Sequence, residues 1–307
     1  MEERNSMLPN DHEIRMNRAL LSLDGLSVGD AFGECFFGNP RVAERRIEHR
    51  DPPPAPWPFT DDTTMALSIV RCLNRSGHID NDALAAAFAR EYVRNPGRGY
   101  GYGARVILQE IHSGIPWKEA AGRAFNGQGS FGNGGAMRSA PIGAYFADDV
   151  QSVINEAKAS CEVTHAHPDG ATGAIAVALA AAWMVTKGNQ AKSSGHALVE
   201  FVLDHLPETE TYHRLKCALE LPLNLSPLTA ASALGNGMQA IASDTVPFCL
   251  WCAARHVNNY QEVIWSAVSV YGDIDTNCAI VGGIVALSAG RESIPREWLK
   301  AREPLPI

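Results

Sequence analysis

The sequence predicts an all-α protein folded as one compact domain. Three observations predict it. Apolar residues recur at three- and four-residue spacings along almost the whole chain, which is the period of an amphipathic helix. Alternating apolar and polar runs, the mark of a half-buried strand, are nearly absent. The connections between periodic stretches are short and marked by Gly or Pro, as they are between packed helices.

The first periodic stretch, 15–34, carries Leu20, Leu23, Val28, Ala31 and Phe32. The charged residues before it have no apolar core, so 1–14 reads as a flexible N-terminal segment and 15–307 as the domain. The Pro-rich run at 51–58 is too short for a domain linker and reads as a rigid loop leading into the next helix. That helix, 61–75, carries Met65, Leu67, Ile69, Val70 and Leu73. Further helices are expected at 80–94, 102–113, 117–126, 135–147, 150–163, 168–187 and 193–205. Others follow at 211–220, 228–242, 247–257, 260–270 and 275–289. The uncharged stretch 170–186 sits at the short limit for a membrane span, and its length favours a buried core helix. Its Ala and Gly residues permit close backbone approach.

Composition narrows the function classes. Hydrophobic residues make up 46% and charged residues 20% of 307, which is the range of a globular chain and excludes disorder. A formal net charge of −8 disfavours a general binder of nucleic-acid backbone, while a local basic pocket for a small phosphate ligand stays possible. Seven cysteines at irregular spacing and an N-terminus without a leader-like apolar run point to free thiols and the cytoplasm. No membrane association is expected, and a monomer or weak oligomer is. Cys249 and Cys252 form a lone C-x-x-C on an apolar stretch and read as core residues, since no second pair accompanies them.

Two segments carry the chemistry. Thr60-Asp61-Asp62-Thr63 opens the helix at 61–75, and Gly272-Asp273-Ile274-Asp275-Thr276 opens the helix at 275–289. Taken alone, each is explained by helix capping and by acidic residues favouring a helix N-terminus. Together they are explained less well by capping. Both offer two carboxylates and a hydroxyl, the hard oxygen set that magnesium and manganese take. Four converging carboxylates would repel one another unless cations neutralised them, and two divalent ions could also activate a water. A glycine-rich element, Gly132-Asn133-Gly134-Gly135, precedes an apolar run. Its free N–H groups could hold a pyrophosphate, or it could be a tight packing turn.

These segments resemble the landmarks of the ADP-ribosylglycohydrolase family. Gly29-Asp30-Ala31-Phe32-Gly33 resembles its GDAxG element and Thr60–Thr63 its TDDT. The run Gly132 to Arg138 with Ala140-Pro141 resembles GNGxAMRxxP, Thr164-His165 with Pro168 resembles THxxP, and Gly272–Thr276 resembles GDxDT. Ile294-Pro295 with Trp298 resembles the usual close, and the order covers roughly 20–300. The resemblance implies a compact, orthogonal all-α helical array of that type and a hydrolase that removes ADP-ribose from a modified side chain, with ADP-ribosyl-arginine expected first. The alternatives are another ADP-ribose conjugate, such as ADP-ribosyl-serine or a small molecule, or a catalytically silent ADP-ribose-binding or structural member. It implies two Mg2+ or Mn2+ ions held by Thr60, Asp61, Asp62, Asp273, Asp275 and Thr276. It implies ADP-ribose contacts from Gly101, in the loop Arg98 to Gly103, and from Gly132, Asn133, Gly134, Gly135, Met137 and His165, with His165 against the adenosine. Catalytic roles are expected of Asp62 or Asp273 in orienting water, and of Glu34 or a water as proton donor. Asp30 is expected to be a structural hydrogen-bonding residue. Two positions depart from the family pattern. Glu34 is displaced from the place of a flap glutamate, and Tyr271 stands where a further glycine usually precedes the acidic pair.

Overall fold

The computed structural model describes residues 8–188 and 195–306. Among them are sixteen α-helices. In chain order they are α1 (His12–Glu34), α2 (Pro40–His49), α3 (Asp61–Ser76), α4 (Asn81–Arg94), α5 (Tyr102–His112), α6 (Trp117–Gly127), α7 (Ala140–Tyr145) and α8 (Val150–Glu162). They continue with α9 (Pro168–Lys187), α10 (His196–Leu203), α11 (Glu210–Glu220), α12 (Pro227–Leu234), α13 (Ala242–Arg255), α14 (Tyr260–Val268), α15 (Ile274–Ala289) and α16 (Arg296–Ala301). The β-structure among the described residues is limited to two isolated bridges, Trp57 with Arg302 and Gly132 with Ile241.

The all-α expectation is met, and the differences from it have local causes. α1 begins at His12, so residues 12–14 are helical; Arg15 pairs with Asp11 at 2.8 Å and His12 Nδ1 meets the Tyr145 hydroxyl at 2.7 Å. Residues 1–7 of the segment expected to be flexible lie outside the described residues, as do 193 and 194 of the helix expected at 193–205. α2 and α16 were not expected. α2 buries only Ala43, so its periodicity is weak, but Asn39 caps it and Pro40 fills its first turn. The helix expected at 135–147 is a 3-10 turn, Asn133–Gly135, followed by the shorter α7. α12 stops at Leu234 because Gly235 and Gly237 take φ of 97° and 85°, and a loop continues to Ile241.

The core is built on three helices. α9 is long and apolar enough to cross a membrane by length alone, yet it is buried from Gly170 through Met184 at the centre of the fold. α1 and α15 pack against each other at backbone distance. A Cβ placed on Gly29 would lie 2.2 Å from the Cys278 carbonyl oxygen, and one on Gly25 would lie 2.4 Å from that of Gly282. Ser22 donates to the Gly283 carbonyl at 2.9 Å and Tyr260 to that of Gly25 at 2.6 Å. At the far end of α1, Phe32 stacks on Trp298 at 4.5 Å and meets Trp57 and Trp265 edge-on. Trp57 in turn pairs through its backbone with Ala301 and Glu303. The Pro-rich loop is thereby fixed, and with it the start of α3.

Candidate active site

The starts of α3 and α15 meet in one cleft of about 540 Å³, a size suited to a small organic ligand. Thr60 is the N-cap of α3, its hydroxyl accepting from the Asp62 N–H at 3.4 Å. Asp61 and Asp62 therefore stand inside the first turn with no capping task. Asp273 occupies the N-cap position of α15 but makes no side-chain capping bond. Its Oδ2 accepts instead from the Asn133 amide at 2.7 Å. Capping accounts for Thr60 and leaves the four carboxylates to another purpose.

Asp30 lies beneath the first turn of α3 and is fully buried. It accepts from the Thr60 N–H and hydroxyl and from the Thr63 N–H and hydroxyl, at 2.5 to 3.1 Å. With both oxygens engaged, it fastens α3 to α1, the structural role expected of it. Gly33 brings α1 against the second turn, since a Cβ there would lie 2.7 Å from the Asp275 Cα.

Burial pushes these carboxyl groups up, and their neighbours add to it. Asp61 is pushed up to about 7 by burial and then by Asp30 and Asp273, against the lowering effect of Arg138. Asp62 is held well above the usual carboxylate range by burial and by Asp275, Asp30 and Asp61, and Asp275 likewise by burial, Asp273 and Asp30. Asp273 is raised by burial, while the side chains of Asn133, Asp275 and Thr276 act to lower it. Oδ1 of Asp62 and Oδ1 of Asp275 are buried without a hydrogen-bond partner, a costly state for a carboxylate oxygen unless a cation meets it. These observations fit a hard divalent cation. Among the described residues no group of three or more His, Cys, Asp and Glu side chains is already arranged to hold an ion. A bound cation would therefore have to draw the two turns inward or recruit the hydroxyls of Thr60 and Thr276.

The rest of the cleft comes from three loops. Arg98 is clamped by Glu303 at 2.6 and 2.7 Å, and its carbonyl accepts from the Asp61 N–H at 2.7 Å. Gly99, at φ 93°, lets this loop pass Asp61, where a Cβ would lie 3.2 Å from Oδ1. Gly101 has open space where its Cβ would be, so its backbone faces the cleft unhindered. In the second loop, Gly132 and Gly134 leave room for the His165 imidazole. A Cβ on Gly134 would lie 2.8 Å from His165 Cε1. The third loop, 235–241, pairs with the second, Asn133 donating to the Ala240 carbonyl at 3.1 Å. Its Asn236 carbonyl accepts from the Asn277 amide at 2.7 Å.

Of the residues singled out in the sequence, Asp61, Asp62, Gly101, Gly132, Asn133, Gly134, Met137, His165, Asp273, Asp275 and Thr276 line the cleft. Three do not. Thr60 is buried behind Asp62. Gly135 faces the core, where a Cβ would lie 2.4 Å from Cys161 Sγ, so it serves packing. Glu34 ends α1 half-buried, raised by burial and by Asp30, and its charge is felt at Asp275. The Asn133 side chain is committed to Asp273 and to the Thr245 hydroxyl at 3.0 Å. The structure adds an aromatic wall that sequence reasoning missed. Tyr102 is 85% and Phe125 50% exposed, and the Phe125 and Phe131 rings lie 5.6 Å apart. Phe125 and Asn126 take φ of 52° and 58° where α6 breaks, a left-handed pair that costs about 1–2 kcal/mol per residue. The legible signal was an aromatic on each side of the glycine-rich Gly127 to Gly129.

A helical array with paired acidic helix starts facing glycine loops defines a glycosyl-bond hydrolase of one kind: the chain belongs to the ADP-ribosylglycohydrolase family, whose sequence pattern matches residues 11–304. It is similar to the ADP-ribosylhydrolase ARH3 of Bos taurus, 31% identical across 92% of this chain and 87% of that protein. The ADP-ribosylhydrolase ARH3 of Gallus gallus is 33% identical across 80% of this chain and 74% of its own length. Among solved structures, an ADP-ribosylglycohydrolase-related protein complex superposes with a TM-score of 0.66 at 25% identity, covering 95% of this chain and 94% of that one.

Proposed function

We propose that the chain removes ADP-ribose from a modified side chain in the cytoplasm, cleaving the N-glycosidic bond of ADP-ribosyl-arginine, with two Mg2+ or Mn2+ ions at the acidic turns. One observation carries the reading: two acidic helix starts meet in the cleft with buried, unpartnered oxygens on Asp62 and Asp275. Thr60, Asp61, Asp62, Asp273, Asp275 and Thr276 would hold the ions. When bound, the ions supply positive charge that neutralises the carboxylates and lowers the pKa of water. The residues of the chain do the rest. Gly101, Gly132 and Gly134 present backbone to the diphosphate, and His165 with Phe125 and Phe131 forms the wall for the adenosine. Asp62 or Asp273 orients the attacking water and takes its proton. Their negative charge also stabilises the positive charge that develops on the ribose as the bond opens.

What supports the arginine linkage is the place of Glu34, which does not line the cleft. A glycosyl guanidinium is already protonated and departs as neutral guanidine, so it needs no acid beside the bond. An O-linked conjugate such as ADP-ribosyl-serine leaves as an alcohol and would need Glu34 to turn inward as general acid. That O-linked conjugate is the second reading, favoured by the raised carboxyl of Glu34.

The test is release of free ADP-ribose from ADP-ribosyl-arginine and ADP-ribosyl-serine peptides, in Mg2+ or Mn2+ and after exhaustive chelation. Turnover of the arginine peptide that is lost on chelation is expected. Turnover of the serine peptide alone would replace the linkage, and full turnover after chelation would remove the ions from the scheme. No release from either peptide would leave a binding protein and sink the catalytic reading.

A further inference from the structure

Arg138 is fully buried, and a guanidinium can only donate. Its Nη2 donates to the Ser160 carbonyl and to the Thr164 hydroxyl oxygen, each at 2.9 Å, and the group lies 4.5 Å from the centre of the Phe88 ring. Thr164 is fully buried too, and its second contact is Nδ1 of His165 at 2.7 Å. Among the described residues no other acceptor reaches the Thr164 hydroxyl. Since that oxygen accepts from Arg138, its hydrogen goes to Nδ1. An imidazole whose Nδ1 accepts carries its own hydrogen on Nε2. The opposite tautomer would leave a fully buried hydroxyl hydrogen with no acceptor, a state that folded proteins avoid.

We propose that Arg138 and Thr164 are positioning residues that fix His165 as the Nε2–H tautomer, so that the cleft offers a hydrogen-bond donor, never an acceptor, at this point. The inference rests on the reading that the cleft binds ADP-ribose. Nε2 has no protein partner among the described residues, and His165 lines the cleft. The glycines at 132 and 134 keep the ring in place, since a Cβ on either would come within 3.2 Å of Nε2. Burial and the Arg138 charge hold the imidazole down at about 3, so it stays neutral at working pH. The ligand atom facing Nε2 must therefore be an acceptor, such as a ring nitrogen or a ribose or phosphate oxygen. A ligand with a donor there meets N–H against N–H. Arg138 is fully buried and does not line the cleft, which separates it from the glycines four and six residues before it.

The tautomer is read directly from the nitrogen shifts of 15N-labelled imidazole in the full chain, with the His165 signals identified by their loss in His165→Gln. The expected pattern is a protonated Nε2 and an unprotonated, hydrogen-bonded Nδ1, unchanged from pH 8 to pH 5.5. Thr164→Val keeps the shape and removes the relay. It should give a mixture of tautomers and weaken ADP-ribose binding in Mg2+ by about tenfold, while Thr164→Ser should restore both. A protonated Nδ1 or a cationic ring in the unaltered protein overturns the proposal, as does Thr164→Val with an unchanged spectrum and affinity. Failure of the unaltered chain to bind ADP-ribose counts against the proposed function, and the nitrogen spectrum still decides the tautomer.

Discussion

The sharpest discrimination available at the scale of single residues is between a carboxylate that caps a helix and one that holds a cation. Asn caps about as well as Asp, so Asp62→Asn and Asp275→Asn would be harmless at caps. Here each removes a charge from a cluster whose members raise one another. We expect hydrolysis to fall by about a hundredfold or more in each. Melting temperature without metal should hold or rise as repulsion is relieved, and the stabilisation given by added Mg2+ should shrink. Near-normal activity with an undiminished Mg2+ effect would show that these carboxylates hold no cation. These residues were legible because their types and spacing repeat at two helix starts. Phe125 and Phe131 were not, because an aromatic in an irregular loop has no period to betray which way it points. The commitment of the Asn133 amide to Asp273, 140 residues further on, is likewise a fact of tertiary structure alone.

Among elements, the pairing of α1 with α15 decides whether the second acidic turn is in place. The glycines of α1 at positions 25, 29 and 33 recur every fourth residue and so share one face. Each lies against α15 or the turn before it at a distance that excludes a side chain. Gly29→Ala should cost about 3 kcal/mol or more, read from denaturant midpoints, because the atoms in the way are backbone. It should also weaken the Mg2+ response, since α15 carries Asp275. Gly101→Ala makes the contrast. Its Cβ meets nothing within 4 Å, so stability should change by less than about 0.5 kcal/mol while ADP-ribose binding, measured by calorimetry, weakens. Wild-type stability in Gly29→Ala would show that the two helices have slack. Most helices were legible from their apolar period. α2 escaped because it buries one residue, and the real end of α12 escaped because its apolar pattern runs on past Gly235. Both carried local signals, an Asn-Pro start in the first and a glycine pair in the second, that periodicity alone overrides.

Taken as a whole, the molecule buries two imidazoles that it keeps uncharged, and this couples its stability to pH. Burial, helped by Arg138, holds His165 at about 3, and burial, helped by Arg255 and Arg50, holds His256 at about 4. An unfolded chain takes up these protons near pH 6.5. The contribution of His165 is thus fully present above about pH 6.5 and declines toward pH 3 by about 1.4 kcal/mol per unit. His256, less buried, contributes a smaller slope. The raised carboxyl groups of the site titrate in the opposite sense, so the measurement is the difference between the unaltered chain and His165→Gln in urea unfolding from pH 7.5 to 4.5. That difference should shrink as pH falls, and a constant difference would mean the ring titrates in the fold as it does in the unfolded chain. That the chain is helical was legible from its apolar period, whereas the crossing of its helices was not, because period gives faces and not partners. The contact between α1 and α15 has a further consequence for synthesis. Ser22 bonds to a carbonyl 261 residues further along. At a translation rate of roughly 5–20 residues per second, the two are made on the order of 10–50 s apart. Through that interval the glycine face of α1 waits on the nascent chain without its partner, and no ribosome-bound intermediate short of α15 contains the complete acidic cleft.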